Sequence, residues 1–405
     1  MSEPSQRFLP YGRQAIDEDD IAAVAEVLRG DWLTTGPAVD AFEAALAART
    51  QAKFAVVCAS GTAGLHLAMM ALGLGPGERA IVPAITFLAT ANAIRYVGAE
   101  VIFADVDPDT ALLTPATLEA ALARAEGRAT AVLPVHFGGR AADLAGIAAV
   151  AERRGLTVVE DAAHAIGTSY GPGNQARTPI GDCRFSRMAV FSFHPVKTIA
   201  MGEGGAITTN DPVLKERLTR FRNHGMTRDP AALRNRALAF DSDGQPNPWY
   251  YEMPEPGYHY RATDIQCALG LSQLKKLERF AERRRALMGR YRRLLAPLAP
   301  VVRMAPAPTD CTPAWHLCNV LIDFAAAGRT RAQVMAALRE RGIGTQVHYI
   351  PVHLQPYYRR RYGDLTLPGA EAYYARCLSL PLFPGMADGD AERVAEALAA
   401  AVGSR

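Results

Sequence analysis

Short apolar runs alternate with helical segments along the chain from about residue 54 onwards. Each run is rich in Val, Ile, Phe or Ala, as expected for a strand that is buried on both faces. Strands that alternate with helices indicate an α/β fold, in which a mostly parallel central sheet is flanked by helices. We predict seven strands for this sheet, at residues 54–58, 80–83, 100–106, 130–135, 156–160, 188–193 and 205–209.

The pattern changes after a proline-rich stretch at residues 246–256. Long helical segments follow, notably at residues 263–296. A few strands are predicted after these helices, around residues 317–323 and 343–349. The change of pattern indicates that a second structural unit begins near the proline-rich stretch.

Length and composition limit the class of protein. A chain of 405 residues, of which 49% are hydrophobic, is too long for one ordinary domain. We therefore predict a large domain at residues 1–255 and a smaller C-terminal α/β domain at residues 256–405. The 44 basic and 41 acidic residues are scattered along the chain, so no basic cluster indicates a nucleic acid partner.

The chain begins with MSEPSQRFLPYGRQ, which lacks the apolar core and the small-residue cleavage site of a secretion signal. No stretch of about 20 residues is apolar enough for a transmembrane helix. The six cysteines never form a C-x-x-C motif, which argues against a metal site and against a disulfide framework. We expect a cytoplasmic protein with reduced structural thiols and no membrane partner.

Residues that can carry chemistry follow the predicted strands, at the edge where parallel sheets bind ligands. Lys197 stands alone among apolar and glycine residues in VFSFHPVKTIAMGEGGAI, directly after the sixth strand. A lysine that forms a Schiff base must be partly deprotonated, and desolvation lowers the pKa of an amine enough for that. A surface lysine with its ammonium in water is the alternative, so the neighbours of Lys197 decide between the two.

Asp161 follows the fifth strand in LTVVEDAAHAIG and precedes Lys197 by 36 residues. A carboxylate at that place can pair with the protonated ring nitrogen of pyridoxal phosphate (PLP) and keep the ring an electron sink. An acidic residue at a strand end is also common as a helix cap or a metal ligand. The combination of Asp161 with Lys197 favours the cofactor.

Small residues lead from the first strand into a helix in ASGTAGLHL. The free N–H groups and the helix dipole at Gly61 and Thr62 can hold a dianionic phosphate, to which Ser192 can donate a hydroxyl. An ordinary N-capped helix, with Ser60 or Thr62 as the cap, explains the same residues. Phe87 in AITFLATAN either lies over the face of an aromatic cofactor or belongs to the core.

Several motifs occur together in a fixed order: SGTAGLHLA, AITFLATANAI, EDAAHAIG, FSFHPVK with EGGAI, RNHG, GYHYRATDIQCALGLSQL and GIGTQVHY. With them the chain resembles the sugar aminotransferases of the DegT/DnrJ/EryC1/StrS family, from about Leu33 to Leu382. The resemblance implies the PLP-dependent transferase fold, which is the aspartate-aminotransferase-like fold type I. It also implies PLP as the cofactor and a homodimer whose active sites form at the subunit interface.

The resemblance further implies a role for each residue around the cofactor. Lys197 would bind PLP covalently and carry protons, and Asp161 would pair with the ring nitrogen; these two are the predicted catalytic residues. His164 would lie beside the ring hydroxyl, where many relatives have glutamine. The other predicted cofactor contacts are Gly61, Thr62 and Ser192 at the phosphate, Phe87 on the ring, and Asn223 from the other subunit.

The chain departs from the family pattern in one motif. In GYHYR, His259 replaces the asparagine that is usual in relatives, which leaves the role of that position open. The lysine itself is retained, whereas a histidine takes its place in the deoxygenating branch of the family. Retention of Lys197 therefore favours amino transfer over dehydration.

Within the family, the chain resembles the aminotransferases of pseudaminic acid biosynthesis in FSFHPVK, LTTGP, TFLATANA, EDAAHA and GIGTQVHY. The resemblance implies transfer of the amino group of L-glutamate to carbon 4 of a UDP-linked 2-acetamido-2,6-dideoxy-hexos-4-ulose. Arg261 is predicted to bind the glutamate carboxylate or a sugar-nucleotide phosphate through its planar guanidinium. His316, His348 and Tyr349 are predicted to line the cleft for the nucleotide-linked keto-sugar.

Alternatives remain at two levels. A solvated surface arginine explains Arg261, and hydrogen-bonded structural roles explain His316, His348 and Tyr349. For the whole chain, the alternatives are an aminotransferase for another UDP- or dTDP-linked 4-keto or 3-keto sugar, and a PLP-dependent dehydratase. A non-catalytic regulator with the same fold is a further alternative, although such a protein has no chemical reason to keep Lys197, Asp161 and Ser192 together.

Overall fold

The computed structural model describes residues 7–126, 128–171 and 177–403. The start of the chain at residues 1–6 lies outside the described part, as do residues 127, 172–176 and 404–405. All six cysteines belong to the described part, where each is a buried free thiol. No helix in those residues is both long and apolar enough to cross a lipid bilayer.

Thirteen strands are found in the described residues, and together they form three sheets. Their bounds are β1 (Phe54–Cys58), β2 (Arg79–Pro83), β3 (Glu100–Ala104), β4 (Ala131–Val132), β5 (Thr157–Asp161), β6 (Ser169–Tyr170), β7 (Thr178–Pro179), β8 (Met188–Ser192), β9 (Gly205–Thr209), β10 (Val302–Met304), β11 (Cys311–Thr312), β12 (Cys318–Ile322) and β13 (Cys377–Leu380). The seven strands predicted for the central sheet are all present. β4 is shorter than the predicted 130–135, and beyond it Val135 makes only an isolated parallel bridge to Asp161.

The large sheet has the strand order β1-β9-β8-β5-β4-β2-β3. Its pairs from β8 to β3 are parallel, whereas β9 runs antiparallel to both β1 and β8. Alternate residues of β1 belong to different hydrophobic cores, with Val56 and Cys58 in one and Ala55 and Val57 in the other. The sheet is therefore mostly parallel and covered on both faces, as predicted.

Helices of the described part surround these sheets. Their bounds are α1 (Glu18–Arg29), α2 (Pro37–Thr50), α3 (Gly61–Leu72), α4 (Leu88–Tyr96), α5 (Pro115–Arg124), α6 (Leu144–Arg154), α7 (Pro212–Arg222), α8 (Arg236–Ala239), α9 (Asp264–Lys275), α10 (Leu277–Leu295), α11 (Arg331–Glu340), α12 (Pro356–Tyr362), α13 (Pro368–Arg376) and α14 (Asp390–Ala401). Several begin at a side chain that caps the first turn, such as Ser60 of α3 and Thr263 of α9.

The long helical segments predicted at 263–296 are present as α9 and α10, and the chain turns at Lys276 between them. The turn coincides with a tertiary contact that helical periodicity does not reveal. The ammonium of Lys276 lies 2.8 Å from the carboxylate of Asp20 and also pairs with Asp17, at the start of α1. The break thus occurs where the long helical segment is joined to the N-terminal part of the chain.

A second hydrophobic core lies in the C-terminal part of the chain, where α10, α11 and α14 pack on the sheet β10-β12-β13. The predicted strand at 317–323 is confirmed as β12. The predicted strand at 343–349 is wrong: this segment makes one antiparallel bridge, between Gln346 and Ser379 of β13, and then leaves the sheet. Pro351, which cannot donate a backbone hydrogen bond, follows shortly afterwards. The predicted domain boundary at residues 255 and 256 stays a prediction.

The ends of three strands meet closely at one edge of the large sheet. Gly205, at the start of β9, is paired with Cys58 at the end of β1 and with Ser192 at the end of β8. A Cβ at Gly205 would lie only 2.4 Å from the carbonyl carbon and oxygen of Ser60 and 2.6 Å from the nitrogen of Gly61. The turn that leads into α3 therefore approaches the sheet so closely that only glycine fits.

We predict that Gly205→Ala destabilises the fold by about 1–3 kcal/mol, because backbone atoms must move to admit the methyl group. The matched control is Gly289→Ala in the middle of α10, where the nearest atom to a new Cβ is the Nη1 of Arg293, at 3.9 Å. That variant should gain roughly 0.5–1 kcal/mol from the higher helix propensity of alanine. Urea unfolding followed by circular dichroism measures both; equal midpoints for Gly205→Ala and wild type would contradict the prediction.

Candidate active site

A cavity of about 600 Å³ opens where the strands of the large sheet end. The ends of β5 and β8, the first turn of α3, the start of α4 and the segment 346–349 contribute to its walls. Nine of the twelve predicted site residues line this cavity: Gly61, Thr62, Phe87, Asp161, His164, Ser192, Lys197, His348 and Tyr349. The structure thus brings together residues that lie up to 288 positions apart in the sequence.

Lys197 lies in the turn that follows β8, and its half-buried side chain lines this cavity. Burial lowers the pKa of its ammonium to about 8, although the nearby carboxylate of Asp161 acts in the opposite direction. Desolvation prevails because a charged amine loses more by leaving water than it regains from one carboxylate. Compared with an ordinary lysine, a larger fraction of Lys197 is therefore a neutral amine near neutral pH, which is the form that attacks a carbonyl group.

The first turn of α3 and the end of β8 form another wall of the cavity. Ser60 caps α3 by accepting a hydrogen bond from the N–H of Ala63 at 3.1 Å, so the cap that the sequence allowed is present. The N–H groups of Gly61 and Thr62 belong to the first turn, where a helix offers no acceptor of its own. Gly61 lies against Ser192, and a Cβ on Gly61 would be 2.8 Å from the Cβ of Ser192. This wall can hold an anion with backbone N–H groups and a hydroxyl.

Asp161 ends β5 and is almost completely buried. Its carboxylate accepts two hydrogen bonds, one from the N–H of Ala163 at 3.1 Å and one from the hydroxyl of Thr90 at 2.6 Å. Neither interaction is that of a helix cap or a metal ligand. The carboxylate also lines the cavity, so a positively charged ring nitrogen can reach it.

His164 lies next to Asp161 and carries its proton on one identifiable nitrogen. Burial lowers its pKa well below the ordinary range, and the charges of Lys197 and His348 lower it further, so the ring is neutral. The N–H of Gly138 donates to Nδ1 of His164 at 3.2 Å. The proton of the neutral ring must therefore sit on Nε2, which lies 3.3 Å from the hydroxyl of Tyr349. His164 presents a hydrogen-bond donor at this end of the site.

His348 has the opposite arrangement. The hydroxyl of Ser379 donates to Oδ1 of Asn319 at 2.6 Å, which uses its single proton. The same hydroxyl lies 2.7 Å from Nδ1 of His348 and therefore accepts the proton of that nitrogen. Burial, and secondly Lys197, lowers the pKa of His348 to about 3, so Nε2 keeps a lone pair. His348 thus presents a hydrogen-bond acceptor to the cavity.

His316 does not belong to the cavity wall, in contrast to the prediction that it lines the substrate cleft. It packs on His164, with ring centroids 4.5 Å apart and planes inclined by 45°. Burial lowers its pKa well below the ordinary range, and Lys197 and His164 act in the same direction. This geometry favours an action of His316 through His164 over a direct contact with a substrate.

Phe87 and Tyr349 form the aromatic part of the cavity, with ring centroids 6.0 Å apart. The side chain of Phe87 is 54% exposed, which excludes the alternative of an ordinary core residue. Burial raises the pKa of Tyr349 well above its usual range, with smaller effects from Tyr11 and Asp161, so its hydroxyl stays protonated. An aromatic ring and a hydroxyl donor thus face the same space.

Asn223 and Arg261 are brought together, but away from Lys197. Nη1 of Arg261 donates to the amide oxygen of Asn223, and both residues line a separate pocket between α2 and α7. His259 is the residue that departs from the family pattern. Its backbone forms an antiparallel β-bridge with Asn223, and its ring stacks on that of His224, with ring centroids 5.5 Å apart. Arg261 lowers the pKa of His259, and burial and His224 contribute less. Within one chain, this polar cluster does not belong to the cavity of Lys197.

Sequence reasoning missed the residues that hold the predicted ones in place. Thr90, Gly138 and Ser379 each supply a hydrogen bond that orients a cavity residue. Tyr11 lines the cavity from the N-terminal segment, with its ring centroid 5.3 Å from that of His348. No local pattern marks these positions, because each contact joins segments that are remote in the sequence.

Similarity to known proteins agrees with this geometry. The model of the DegT/DnrJ/EryC1/StrS aminotransferase family matches residues 14–399 of the chain. The spore coat polysaccharide biosynthesis protein SpsC of Bacillus subtilis (strain 168) is 42% identical over 401 residues, which cover 98% of each chain. The predicted family is therefore confirmed over almost the whole length.

Solved structures agree with the family match. PseC of Helicobacter pylori, an aminotransferase involved in the biosynthesis of pseudoaminic acid, superimposes with a TM-score of 0.88 at 27% identity, over 98% of this chain and 100% of PseC. Spr1654 of Streptococcus pneumoniae, solved in a PLP form, has a TM-score of 0.85 at 27% identity, over 98% of each chain. These neighbours confirm the PLP-dependent transferase fold type I. The chain belongs to the DegT/DnrJ/EryC1/StrS aminotransferase family and is a PLP-dependent sugar aminotransferase.

Proposed function

We propose that the enzyme transfers the amino group of L-glutamate to carbon 4 of a UDP-linked 2-acetamido-2,6-dideoxy-hexos-4-ulose. The observation that carries the proposal is the single cavity that joins Lys197 and Asp161 to the hydrogen-bonding groups of His348 and Tyr349. The likeness to PseC supports the class of sugar. A second candidate is amination of another nucleotide-linked keto-sugar, which the higher identity to SpsC favours.

The residues of the cavity fit PLP in three respects. The N–H groups of Gly61 and Thr62, with the hydroxyl of Ser192, suit a phosphate, and the glycine leaves no side chain in the way. The carboxylate of Asp161 suits a protonated ring nitrogen. Phe87 supplies an exposed aromatic face that suits stacking on a ring.

When bound, PLP supplies the electron sink that lets an amino group leave one substrate and enter another. Lys197 would hold it covalently through Nζ, which its lowered pKa keeps partly neutral. The same Nζ, as a free neutral amine, could accept or return a proton. The carboxylate of Asp161 would pair with the protonated ring nitrogen, and the Nε2–H of His164 would be available to the ring hydroxyl.

The substrate side of the cavity offers one acceptor and one donor. Nε2 of His348 accepts a hydrogen bond from a hydroxyl or amide N–H of the sugar, and its low pKa keeps it an acceptor throughout the physiological range. The hydroxyl of Tyr349 donates to a sugar oxygen. Because these groups are fixed by buried partners, they select a sugar by the position of its polar groups.

The enzyme is proposed to act as a cytoplasmic homodimer in which Asn223 and Arg261 reach the active site of the partner subunit. Within one chain neither residue lines the cavity of Lys197, and both line a separate pocket, so the proposed contact with the cofactor comes from a second copy. The segment that connects them carries exposed large side chains, namely Trp249, Tyr251, Met253 and Tyr258. A subunit interface would remove these apolar groups from water. The free buried thiols suit the reducing cytoplasm.

The substrate assignment predicts a defined product. Purified enzyme, PLP and L-glutamate are incubated with a panel of UDP- and dTDP-linked 4-keto and 3-keto sugars, and products are identified by mass and NMR. We expect 2-oxoglutarate and a 4-amino sugar from the UDP-linked 2-acetamido compound, and no product with Lys197→Ala. Preferred amination of another sugar would replace the proposed substrate by the second candidate. Loss of water without an amino donor would contradict amino transfer.

The pKa of Lys197 predicts how the capture of PLP depends on pH. Only the neutral amine attacks the aldehyde of PLP. The rate at which apoenzyme captures PLP covalently should therefore rise with pH, with the midpoint of the rise near pH 8. For an ordinary lysine, such as Nα-acetyl-lysine in the same buffers, the rate of reaction with PLP should have its midpoint at a pH of about 10.4. Borohydride reduction and peptide mapping should locate the label on Lys197, also in the control Lys275→Ala, whose lysine is exposed. A label elsewhere, or a midpoint near 10, would refute the assignment.

The placement of Asn223 predicts complementation between subunits. Lys197→Ala should be inactive, and an Asn223→Ala variant should bind PLP weakly. After subunit exchange, hybrid dimers contain one site with both changes and one with neither, so about a quarter of all sites should recover. Activity of the mixture is compared with the sum of the parents at limiting PLP. If subunits exchange but the activities only add, Asn223 acts within its own chain or not at all.

A further inference from the structure

The carboxylate of Asp161 is held by two donors, of which one is a side chain. Oδ1 accepts the N–H of Ala163, two residues further along the same turn, at 3.1 Å. Oδ2 accepts the hydroxyl of Thr90, which comes from α4 and lies 71 residues away in the sequence, at 2.6 Å. The backbone donor alone leaves the carboxylate free to rotate about it, whereas a second donor on the other oxygen fixes its plane.

The direction of the hydrogen bonds around Thr90 follows from the charge of its partner. An ionised carboxylate can only accept, so the proton of the Thr90 hydroxyl is committed to Asp161. The hydroxyl of Thr86 lies 2.7 Å from that of Thr90 and must therefore be the donor to it. Thr90 is completely buried and Thr86 almost so. A chain of two hydroxyl groups thus ends on the carboxylate, and each bond polarises the next.

The position of Thr90 in α4 explains how it reaches Asp161 without entering the cavity. Phe87 is the N-cap of α4 and lines the cavity, and Ala89 also belongs to the wall. Thr90 lies in the same first turn but behind the wall, with its hydroxyl also 3.3 Å from the carbonyl oxygen of Phe87. One turn of helix therefore carries the aromatic face and, on its other side, the support of the carboxylate.

We propose that Thr90 is a positioning residue, which holds Asp161 so that its free lone pairs face the ring nitrogen of PLP. The inference rests on the role proposed above for Asp161. Thr90 touches neither the cofactor nor a substrate and acts only through the carboxylate. Thr86 supports Thr90 in turn.

The proposal predicts a change in the bound cofactor when the hydroxyl is removed at constant volume. Thr90→Val leaves Oδ2 of Asp161 buried without its donor, and a lost hydrogen bond to a charged group should raise the dissociation constant of PLP about tenfold or more. The pH at which the visible absorption of the bound cofactor shifts should move from the wild-type value towards that of Asp161→Asn. Both readouts need neither an amino donor nor a sugar.

Three variants separate the hydroxyl from packing. Thr90→Ser keeps the hydroxyl and loses the methyl group, Thr90→Val keeps the shape and loses the hydroxyl, and Thr90→Ala loses both. A positioning role predicts that Ser is close to wild type in PLP affinity and pH midpoint, and that Val and Ala are both impaired. A packing role predicts the reverse order, with Val best and Ser and Ala alike. Should Thr90→Val fail to fold in the apo form, the Ser and Ala pair makes the same distinction.

Asp161→Asn distinguishes failure of this inference from failure of the assignment on which it rests. If Asp161→Asn has the PLP affinity of wild type and its bound PLP has the same pH midpoint of absorption, the role proposed for Asp161 is refuted. If Asp161→Asn is impaired while Thr90→Val and Thr90→Ala match wild type, the role of Asp161 stands and Thr90 is not its positioning residue. Impairment of Asp161→Asn, Thr90→Val and Thr90→Ala with rescue by Thr90→Ser supports the proposal.

Discussion

Exclusion of water from the floor of the cavity is the constraint on which the site depends. The burial that lowers the pKa of Lys197 also lowers those of His164 and His348. The amine becomes reactive because it loses its charge, and the two imidazoles lose theirs for the same reason. Neutral rings have one donor and one acceptor nitrogen each, so their buried partners, and not the pH, decide which nitrogen faces the cavity.

Those partners lie outside the cavity, in segments that are remote in the sequence from the histidines they contact. The amide of Gly138 makes His164 a donor, and the hydroxyl of Ser379 makes His348 an acceptor. Two histidines in one cavity thereby acquire opposite hydrogen-bonding roles. The site is therefore built in two layers. Residues of the inner layer line the cavity, and residues of the outer layer fix the orientation of the inner side chains.

The sequence predicts the large sheet from local patterns, and nine of the twelve site residues predicted from patterns and from the resemblance line one cavity. Lys197, Asp161 and Gly61 follow apolar runs, and the carboxyl ends of parallel strands meet by geometry. The outer layer leaves no such pattern. Thr90 reads as one polar residue of an ordinary helix, and the predicted strand that contains His348 fails because its segment makes only isolated bridges, at Ile343 and Gln346. Contacts between remote segments and the end of a ladder are decided by packing, which periodicity does not encode.

The segment that leaves the C-terminal sheet after Gln346 has an evolutionary consequence. His348 and Tyr349 belong to this segment, whereas the amine and its carboxylate belong to the large sheet. A few insertions or exchanges between Gly344 and Pro351 would reshape the part of the wall that is proposed to bind the sugar without moving Lys197. On this proposal, an enzyme of this architecture can change its sugar specificity through substitutions in one short stretch of chain. The residues of the large sheet that carry out amino transfer would stay the same.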